Sequence, residues 1–212
     1  NRPEVLNALR GDTFNELEQV LDDLSINEEA RAMIITGTGD RAFSAGGDVK
    51  TLLNMTSIEA TSFANMTHRI LDKIENTPKP IIAAVNGLAL GAGCDLAVAC
   101  DMIVASEKAV FGEPPTGLGI TTPFGGTQRL PRIIGSKRAK QLFFTGENID
   151  AETAFSFGLV NKVVKHEDLL SEARKLTGKI IGRAPIAVGY CKQLINFSSY
   201  GDLEKGDRLE VE

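Results

Sequence analysis

The chain has 212 residues, which is enough for one domain with a sizeable core or for a domain with an appendage. Its hydrophobic content of 42% and charged content of 24% are ordinary for globular proteins and exclude a disordered chain. A net charge of −5 disfavours nucleic acid and anionic lipid as partners. No run of about eighteen apolar residues is present, so no membrane span is predicted.

The cysteine and histidine content predicts neither disulfides nor a metal site. Cys94, Cys100 and Cys191 are an odd number of cysteines, expected to be buried, reduced thiols of a cytoplasmic protein. No histidine is close to a cysteine in sequence, which disfavours a catalytic thiol. His68 and His166 do not have the spacing of metal ligands. No signal peptide is expected at the start of the chain.

The first half of the chain alternates predicted helices and strands. Its first helix is amphipathic, with a cap expected at Asp12 or Thr13 and its apolar residues on one stripe. A loop punctuated by glycines follows the first strand. The predicted helices are residues 11–25 and 57–76, the loop is 36–48, and the strands are 31–37, 79–87, 100–106 and 109–112.

The second half is richer in helix-sized segments, each bounded by glycine or proline. Together with the first half, they predict an α/β fold in which helices cover a parallel sheet. Their clustering after about residue 135 predicts a separate helical region. The segments are 125–135, 136–146, 150–158, 166–182 and 185–197, with one strand at 159–164.

A local cluster of positive charge interrupts the acidic chain. One interpretation is a contact with a phosphate-bearing ligand or with an acidic neighbouring subunit. The plainer interpretation, which we favour, is a solvated helix face. The residues are Arg129, Arg132, Lys137, Arg138 and Lys140.

Two glycine-rich turns are the strongest candidates for a ligand site. "FSAGGD" (43–48) and "ALGAGCD" (89–95) each follow a predicted strand and precede a helix-like segment. Small residues let a ligand approach the unpaired N–H groups of a helix start, and two such turns could aim two N–H groups at one oxygen. Neither turn has the GxGxxG or GK[ST] pattern of a phosphate loop. Close helix packing is the structural alternative.

Five segments in order carry a resemblance that spans nearly the whole chain. They are "NRPEVLNAL", "RAFSAGGDVK", "IIAAVNGLALGAGCDLAVACD", "FGEPPTGLGITTPFGGTQRLPRIIG" and "GLVNKVV". The sequence resembles the crotonase (enoyl-CoA hydratase/isomerase) superfamily. This resemblance implies a ββα superhelix with parallel sheets and a C-terminal helical region. It places the core and acyl-CoA site in residues 1–134 and a helical trimerisation region in 135–212. Compared with the family, a leading strand and a final helix are expected to be missing.

The resemblance also implies the ligand and the residues that bind it. The family binds acyl-CoA thioesters and assembles as a trimer or a dimer of trimers; coenzyme A is part of the substrate, and no other cofactor or metal is expected. The oxyanion N–H groups map to Gly47 and Ala92. Further substrate contacts, mostly through the backbone, map to Val5, Ala45, Gly46, Asp48, Val49, Gly91 and Pro115.

The chain departs from the family at both positions where hydratases usually carry glutamate. One position holds Asp95, whose side chain is shorter by ~1.5 Å. The other holds Pro115, which cannot transfer a proton. Glu113 could replace the second acid if its loop turns inward; otherwise it is a surface residue. Asp95 could also be only a favourable charge near a helix start. The later acid of some isomerases is absent, since residues 121–124 are "TTPF".

We therefore expect an acyl-CoA enzyme that stabilises a thioester enolate, with hydratase chemistry ahead of its alternatives. Those alternatives are double-bond isomerisation, thioester hydrolysis and reaction on an unusual, for example alicyclic, acyl group. A non-catalytic acyl-CoA-binding protein is the alternative from another class. The acyl group and the choice between trimer and hexamer are left open by the sequence.

Overall fold

The computed structural model describes residues 1–211. Its helices are α1 Gly11–Ile26, α2 Val49–Leu53, α3 Ser57–Asn76, α4 Ala92–Ala99, α5 Gly126–Ile134, α6 Ser136–Thr145, α7 Ala151–Ser156, α8 Leu169–Ile181, α9 Pro185–Ser198 and α10 Leu203–Leu209. Its strands are β1 Met33–Thr36, β2 Ala42–Ser44, β3 Ile81–Val85, β4 Leu88–Leu90, β5 Met102–Ser106, β6 Val110–Gly112, β7 Asn148–Asp150 and β8 Lys162–Val164. Short 3-10 helices occupy Pro3–Val5, Pro114–Leu118 and His166–Asp168.

The strands form two four-stranded sheets, and successive strands alternate between them from β1 to β6. One sheet has the order β1-β3-β5-β8 and the other β2-β4-β6-β7. The pairs β1/β2, β3/β4 and β5/β6 thus each contribute one strand to each sheet and are followed by helix, which is a ββα superhelix. The neighbours pair in parallel except β6 with β7, which are antiparallel. The predicted fold class is confirmed, with this one antiparallel pair as an addition.

Several local predictions were wrong. The segment 36–48 was expected to be a loop, but it contains β2; β4 and β7 were also not predicted as strands. Each has only three residues, too few for an alternating pattern, and depends on its neighbours in the sheet. Helix α1 begins at Gly11 with no side-chain cap, so the cap expected at Asp12 or Thr13 does not form. Both sheets take a strand from beyond residue 134, and the domain boundary there stays a prediction.

Helix α4 explains why the sequence has a long run of small residues. All eight of its residues are buried, and Asp95 is the charged one among them. A side chain at Gly93 is impossible, because a Cβ there would lie 2.2 Å from the carbonyl oxygen of Ser44 in β2. The absence of side chains thus lets α4 lie directly on the second sheet, in the middle of the protein.

An aromatic cluster fixes the loop that leads into α5. The ring of Phe124 stacks on Phe14 of α1 with 5.6 Å between centroids, and it meets Phe63 of α3 edge-on at 5.9 Å. All three rings are buried. Such pairs add about 0.5–1.5 kcal/mol each beyond their burial, so the segment before α5 has a defined position.

The C-terminal helices include an anchor to the core. Lys192 of α9 is buried, and its Nζ donates to Asp101 Oδ2 and to the carbonyl oxygen of Ile74, both at 2.8 Å. Cys94 and Cys100 are buried as expected, whereas Cys191 is exposed, so the expectation of a buried thiol was wrong there. Within residues 1–211, no helix combines the length and apolar character needed to cross a membrane.

Candidate active site

The two glycine-rich turns are neighbours in space. Gly46 has a φ of 112°, which favours glycine, and a Cβ there would lie 2.9 Å from Leu90 O and 3.8 Å from Ala92 N. The first turn is held by Leu9, whose N–H donates to Gly46 O and whose carbonyl accepts from the N–H of Asp48. The backbone around Gly46 and Gly47 is therefore pressed against the start of α4.

The N–H groups assigned to an oxyanion hole are available for a ligand. Ala92 is the first residue of α4, and the first N–H groups of a helix have no partner inside it. Within residues 1–211, the N–H of Gly47 makes no hydrogen bond. The helix dipole adds positive potential at Ala92. That Gly47 and Ala92 converge on one oxygen stays a prediction, which the contact between the two turns supports.

Asp95 is fully buried at the end of the first turn of α4. Its N–H donates to Gly91 O at 2.8 Å, and its Oδ2 accepts a short hydrogen bond from Thr122 Oγ1. Its Oδ1 has no hydrogen-bond partner among the described residues. This oxygen lies against Gly126, where a Cβ would be 1.8 Å from it. The side chain of Asp95 therefore packs against the first residue of α5.

Glu113 is also fully buried, which contradicts the favoured expectation of a surface glutamate. It follows β6, and Gly91 N–H donates to Gly112 O at 2.9 Å, which brings the end of β6 to the start of α4. Both carboxyl oxygens of Glu113 are without a hydrogen-bond partner in residues 1–211. The loop of Glu113 has therefore turned inward. Pro115, two residues later, is also buried in the 3-10 helix that begins at Pro114, and it has no proton to transfer.

The two carboxyl groups are neighbours, and each one affects the other. Burial raises the pKa of Asp95 from 3.8 to about 7. Hydrogen bonding by Thr122 and by the neighbouring Glu113 carboxyl group, and the positive charge of Arg129, act in the opposite direction and lower this pKa. Burial and the negative charge of Asp95 raise the pKa of Glu113 from 4.5 to about 10. Two adjacent buried carboxyl groups do not both ionise. The hydrogen bond from Thr122 favours the charged form of Asp95, so we expect Asp95 to ionise first and Glu113 to keep its proton.

Cys94 lies beside this pair without being a nucleophile. Burial raises the pKa of its thiol, and the charges of Glu113 and Asp95 raise it further. A protonated, fully buried thiol is a weak nucleophile. The expectation that Cys94 is a structural residue therefore fits its environment.

The positive cluster has a different role at each end. Arg129, expected on a solvated face, is mostly buried and forms ion pairs with Glu75 at 2.8 Å and Asp72 at 2.6 Å on α3. Arg132 donates to Ser199 O at 3.2 Å, and Arg138 lies 4.3 Å above the ring of Phe157. Lys137 and Lys140 are exposed. Only part of the cluster is therefore a solvated face. Arg129 instead links α5 to α3 through its ion pairs, and its positive charge acts on Asp95.

The predicted coenzyme A contacts surround the first turn. Val5 and Val49 are exposed apolar residues, and their contact with coenzyme A stays a prediction. Ala45 N–H donates to Leu6 O at 2.9 Å. The Asp48 side chain is occupied within the protein, because it caps α2 and forms an ion pair with Arg2 at 3.0 Å. The backbone of Asp48 is occupied too, because its N–H donates to Leu9 O and its carbonyl oxygen accepts from Thr51 and Leu52, so a contact of Asp48 with the ligand stays a prediction.

Two cavities, of about 140 Å³ and 1160 Å³, are lined by residues other than these candidates. The larger one lies between α3, α5, α8 and α9, and Lys192 and Arg129 are among its walls. Neither cavity contains Asp95 or Glu113, so neither is assigned to an acyl group. Residues 1–211 contain no cluster of three side chains able to bind a metal.

Sequence reasoning missed Thr122, Gly126 and Arg129 as parts of the site. Residues 121–124 contain no carboxylate, but the hydroxyl of Thr122 among them donates a hydrogen bond to Asp95. The signal that was present is the Gly125–Gly126 pair at the start of a helix-sized segment, which permits close approach of another group.

This geometry agrees with what the chain resembles. The family model described as enoyl-CoA hydratase/isomerase matches residues 1–211. The chain belongs to the enoyl-CoA hydratase/isomerase family, a family of enzymes. It is similar to the crystal structure of an enoyl-CoA hydratase from Bacillus anthracis, with a TM-score of 0.95 and 38% identity over 99% of this chain and 81% of that one.

Two relatives have a similar extent of match. A short-chain-enoyl-CoA hydratase of Clostridium acetobutylicum is 44% identical over 212 residues, which are all of this chain and 81% of the relative. A crotonyl-CoA hydratase of Syntrophomonas wolfei is 43% identical over 212 residues, covering 82% of its length. The matches thus extend through the helical part of the chain as well as the core.

Proposed function

We propose that this enzyme hydrates short-chain 2-enoyl-CoA thioesters and that Asp95 and Glu113 form its acid–base pair. The observation that carries the proposal is the burial of Glu113 beside Asp95, since it supplies a second acid where Pro115 cannot. The names of the two relatives described above support the reaction and the short acyl chain. The hydrogen bond from Thr122 to Asp95, which favours the charged form of that group, supports the division of roles between the two carboxyl groups.

Each step of the proposed reaction uses a group already described. The thioester carbonyl oxygen accepts hydrogen bonds from the N–H groups of Gly47 and Ala92. Asp95 takes a proton from water as the water oxygen bonds to the β-carbon, and the electrons of the double bond move to the thioester oxygen as an enolate. Glu113 then gives its proton to the α-carbon, which leaves a 3-hydroxyacyl-CoA. Transfer of the proton from Asp95 to its neighbour Glu113 restores the starting state.

An oxyanion N–H donor and a general acid or base are expected to make rate contributions of similar size. One oxyanion donor contributes about 10²–10³ to the rate, and one general acid or base contributes about 10²–10⁴. A change of one carboxyl position therefore leaves the backbone part of the catalysis intact. For this reason the replacement of the usual glutamate by Pro115 is compatible with an active hydratase.

The assembly and compartment are part of the same proposal. We expect a homotrimer or a dimer of trimers formed through the C-terminal helices. Its support is the set of large apolar side chains that these helices expose, among them Ile186, with 74% of its surface exposed, and Ile195, with 68%. Reduced, buried thiols at Cys94 and Cys100 support a reducing compartment such as the cytoplasm.

The test is hydration of crotonyl-CoA, followed by loss of the enoyl absorbance, in the wild type, Asp95→Asn and Glu113→Gln. Both variants should lose about 10²–10⁴ in kcat, because each keeps the shape but not the proton transfer. Glu107→Gln, in the exposed turn between β5 and β6, is the matched control and should keep wild-type rates.

Other outcomes identify the alternatives. Thiol release without loss of the double bond would indicate hydrolysis. Tight binding of several CoA esters without any product would favour a non-catalytic binding protein. Wild-type rates in Glu113→Gln would remove Glu113 from the mechanism.

A further inference from the structure

We propose that Thr122 is a positioning residue, which orients the Asp95 carboxylate through a hydrogen bond from its hydroxyl to Oδ2. This inference rests on the proposed function for its kinetic consequences, but the contact itself can be tested without turnover. Thr122 does not touch the reacting atoms in this scheme. It acts by deciding how Asp95 is held and which member of the acid pair carries the charge.

The hydroxyl of Thr122 is directed by a second hydrogen bond. Phe124 N–H donates to Thr122 Oγ1 at 3.3 Å, which uses an acceptor site of the hydroxyl. The single hydroxyl proton is then donated to Asp95 Oδ2. Because Oδ2 is engaged, Oδ1 is the oxygen of Asp95 that remains free to take a proton.

The loop around Thr122 is held on several sides. The ring of Phe124 is packed between Phe14 and Phe63. Thr67 Oγ1 donates to Pro123 O at 2.9 Å, and Arg129 Nη1 donates to Phe124 O at 3.2 Å. Thr122 therefore has a fixed position, so its hydroxyl can orient Asp95 rather than follow it.

Thr122 treats the two acids of the pair unequally. The groups that face Asp95 are Glu113 from the end of β6, Cys94 on α4, Arg129 on α5 and Thr122. Among residues 1–211, Glu113 accepts no hydrogen bond of ordinary geometry and has only the weak thiol donor of Cys94 beside it, whereas Asp95 accepts one from the Thr122 hydroxyl. A hydrogen bond to the charged form of an acid favours ionisation. The hydroxyl thus favours the charge on Asp95 and leaves the proton on Glu113.

The experiment compares Thr122→Val, which keeps the shape and removes the hydroxyl, with Thr122→Ser, which keeps the hydroxyl. In Thr122→Val the acid limb of kcat/KM should move to higher pH by about one unit, and the rate at pH 7 should fall about fivefold, the size expected for one lost hydrogen bond. Thr122→Ser should restore the wild-type limb. Thr121→Val, at an exposed neighbour, is the control and should leave the profile unchanged.

A second measurement does not depend on activity. In protein labelled with ¹³C-aspartate, the carboxyl signal that Asp95→Asn removes should titrate at higher pH in Thr122→Val than in the wild type. Unchanged titration and an unchanged acid limb would overturn the inference, and so would a Thr122→Ser variant that behaves like valine. An inactive wild type would instead refute the proposed function, while the NMR titration would still decide the role of Thr122. Thermal melting identifies a variant that fails to fold; if Thr122→Val does so, Thr122→Ala, which also lacks the hydroxyl, takes its place in both measurements.

Discussion

Asp95, in the first turn of the buried helix α4, and Asp101, two residues after the end of α4, lie in opposite environments. Asp101 has a cation, because Lys192 Nζ lies 2.8 Å from its Oδ2, and it also accepts from the N–H of Ile81 at 2.7 Å. Asp95 has a second acid, Glu113, and one hydroxyl donor. At Asp101 the charges of the ion pair cancel, and the carboxylate accepts hydrogen bonds. At Asp95 the acids are in excess, and one carboxyl oxygen has no hydrogen-bond partner in residues 1–211.

The difference separates a structural carboxylate from a chemical one. Burial is the largest cause that raises the pKa of both aspartates, but at Asp101 the charge and hydrogen bond of Lys192 oppose it directly. Uncompensated buried acids cost stability, so they persist where they have a use. We therefore expect changes at the Asp101 site to affect stability, and changes at the Asp95 site to affect catalysis.

The largest effect on stability is expected from Lys192→Met. The substitution leaves the partly buried Asp101 without its cation, and loss of one partner of a fully buried pair costs at most about 3–5 kcal/mol. Urea unfolding should show this loss, while the kcat of the folded fraction stays near that of the wild type.

The double variant Lys192→Met/Asp101→Asn is the control, since it removes the stranded charge as well. It should recover part of the lost stability. A stability equal to that of wild type in Lys192→Met alone would contradict the structural role of the pair.

A smaller effect is expected from Gly126→Ala. A Cβ there would lie 1.8 Å from Asp95 Oδ1, so the carboxylate or the start of α5 must move. Overpacking of this kind costs about 1–3 kcal/mol, and kcat should fall because the free oxygen of Asp95 is displaced. Urea unfolding and the crotonyl-CoA assay measure the two losses.

Gly178→Ala in α8 is the matched control, since a Cβ at Gly178 has nothing within 4 Å. It should gain up to about 1 kcal/mol from helix propensity and keep full activity. If Gly126→Ala were as active as Gly178→Ala, the close contact between Gly126 and Asp95 would have no part in the reaction.

The features of the site that could be predicted from the sequence are those formed by residues close together in the chain. The turns at Gly47 and Ala92, the helix start and Asp95 belong to short segments whose glycines restrict the local backbone, and the resemblance gave the order of the ββα units. Local composition also predicted the burial of Cys94 and Cys100. These features need little knowledge of which strand pairs with which.

The unpredictable part depends on tertiary pairing. Glu113 turns inward because β6 pairs with β4 and Gly112 accepts the N–H of Gly91, a contact that no local pattern encodes. Arg129 pairs with Glu75 and Asp72 on α3, far away in sequence. A short strand such as β7 is defined only by its antiparallel partner β6. In each case the deciding group comes from another element of the fold.

The last prediction uses the pH dependence of stability to sharpen the contrast between the two sites. The pKa of Glu113 is 4.5 in its ordinary state and about 10 in the folded protein, so between these values the unfolded chain has released a proton that the folded protein keeps. Because the unfolded state binds fewer protons in this window, the free energy of unfolding contributed by this group falls as pH rises. One proton corresponds to a slope of about 1.4 kcal/mol per pH unit.

Glu113→Gln should remove this slope, since the amide does not titrate, while Lys192→Met/Asp101→Asn should keep it. Urea unfolding of the three proteins from about pH 5.5 to pH 8.5 measures the difference, which lies inside the window given by the two pKa values. A wild type whose stability falls no more steeply than that of Glu113→Gln would mean that Glu113 ionises within the folded protein. In that event Glu113 could not hold the proton that the α-carbon receives, and Asp95 alone would have to serve as both base and acid.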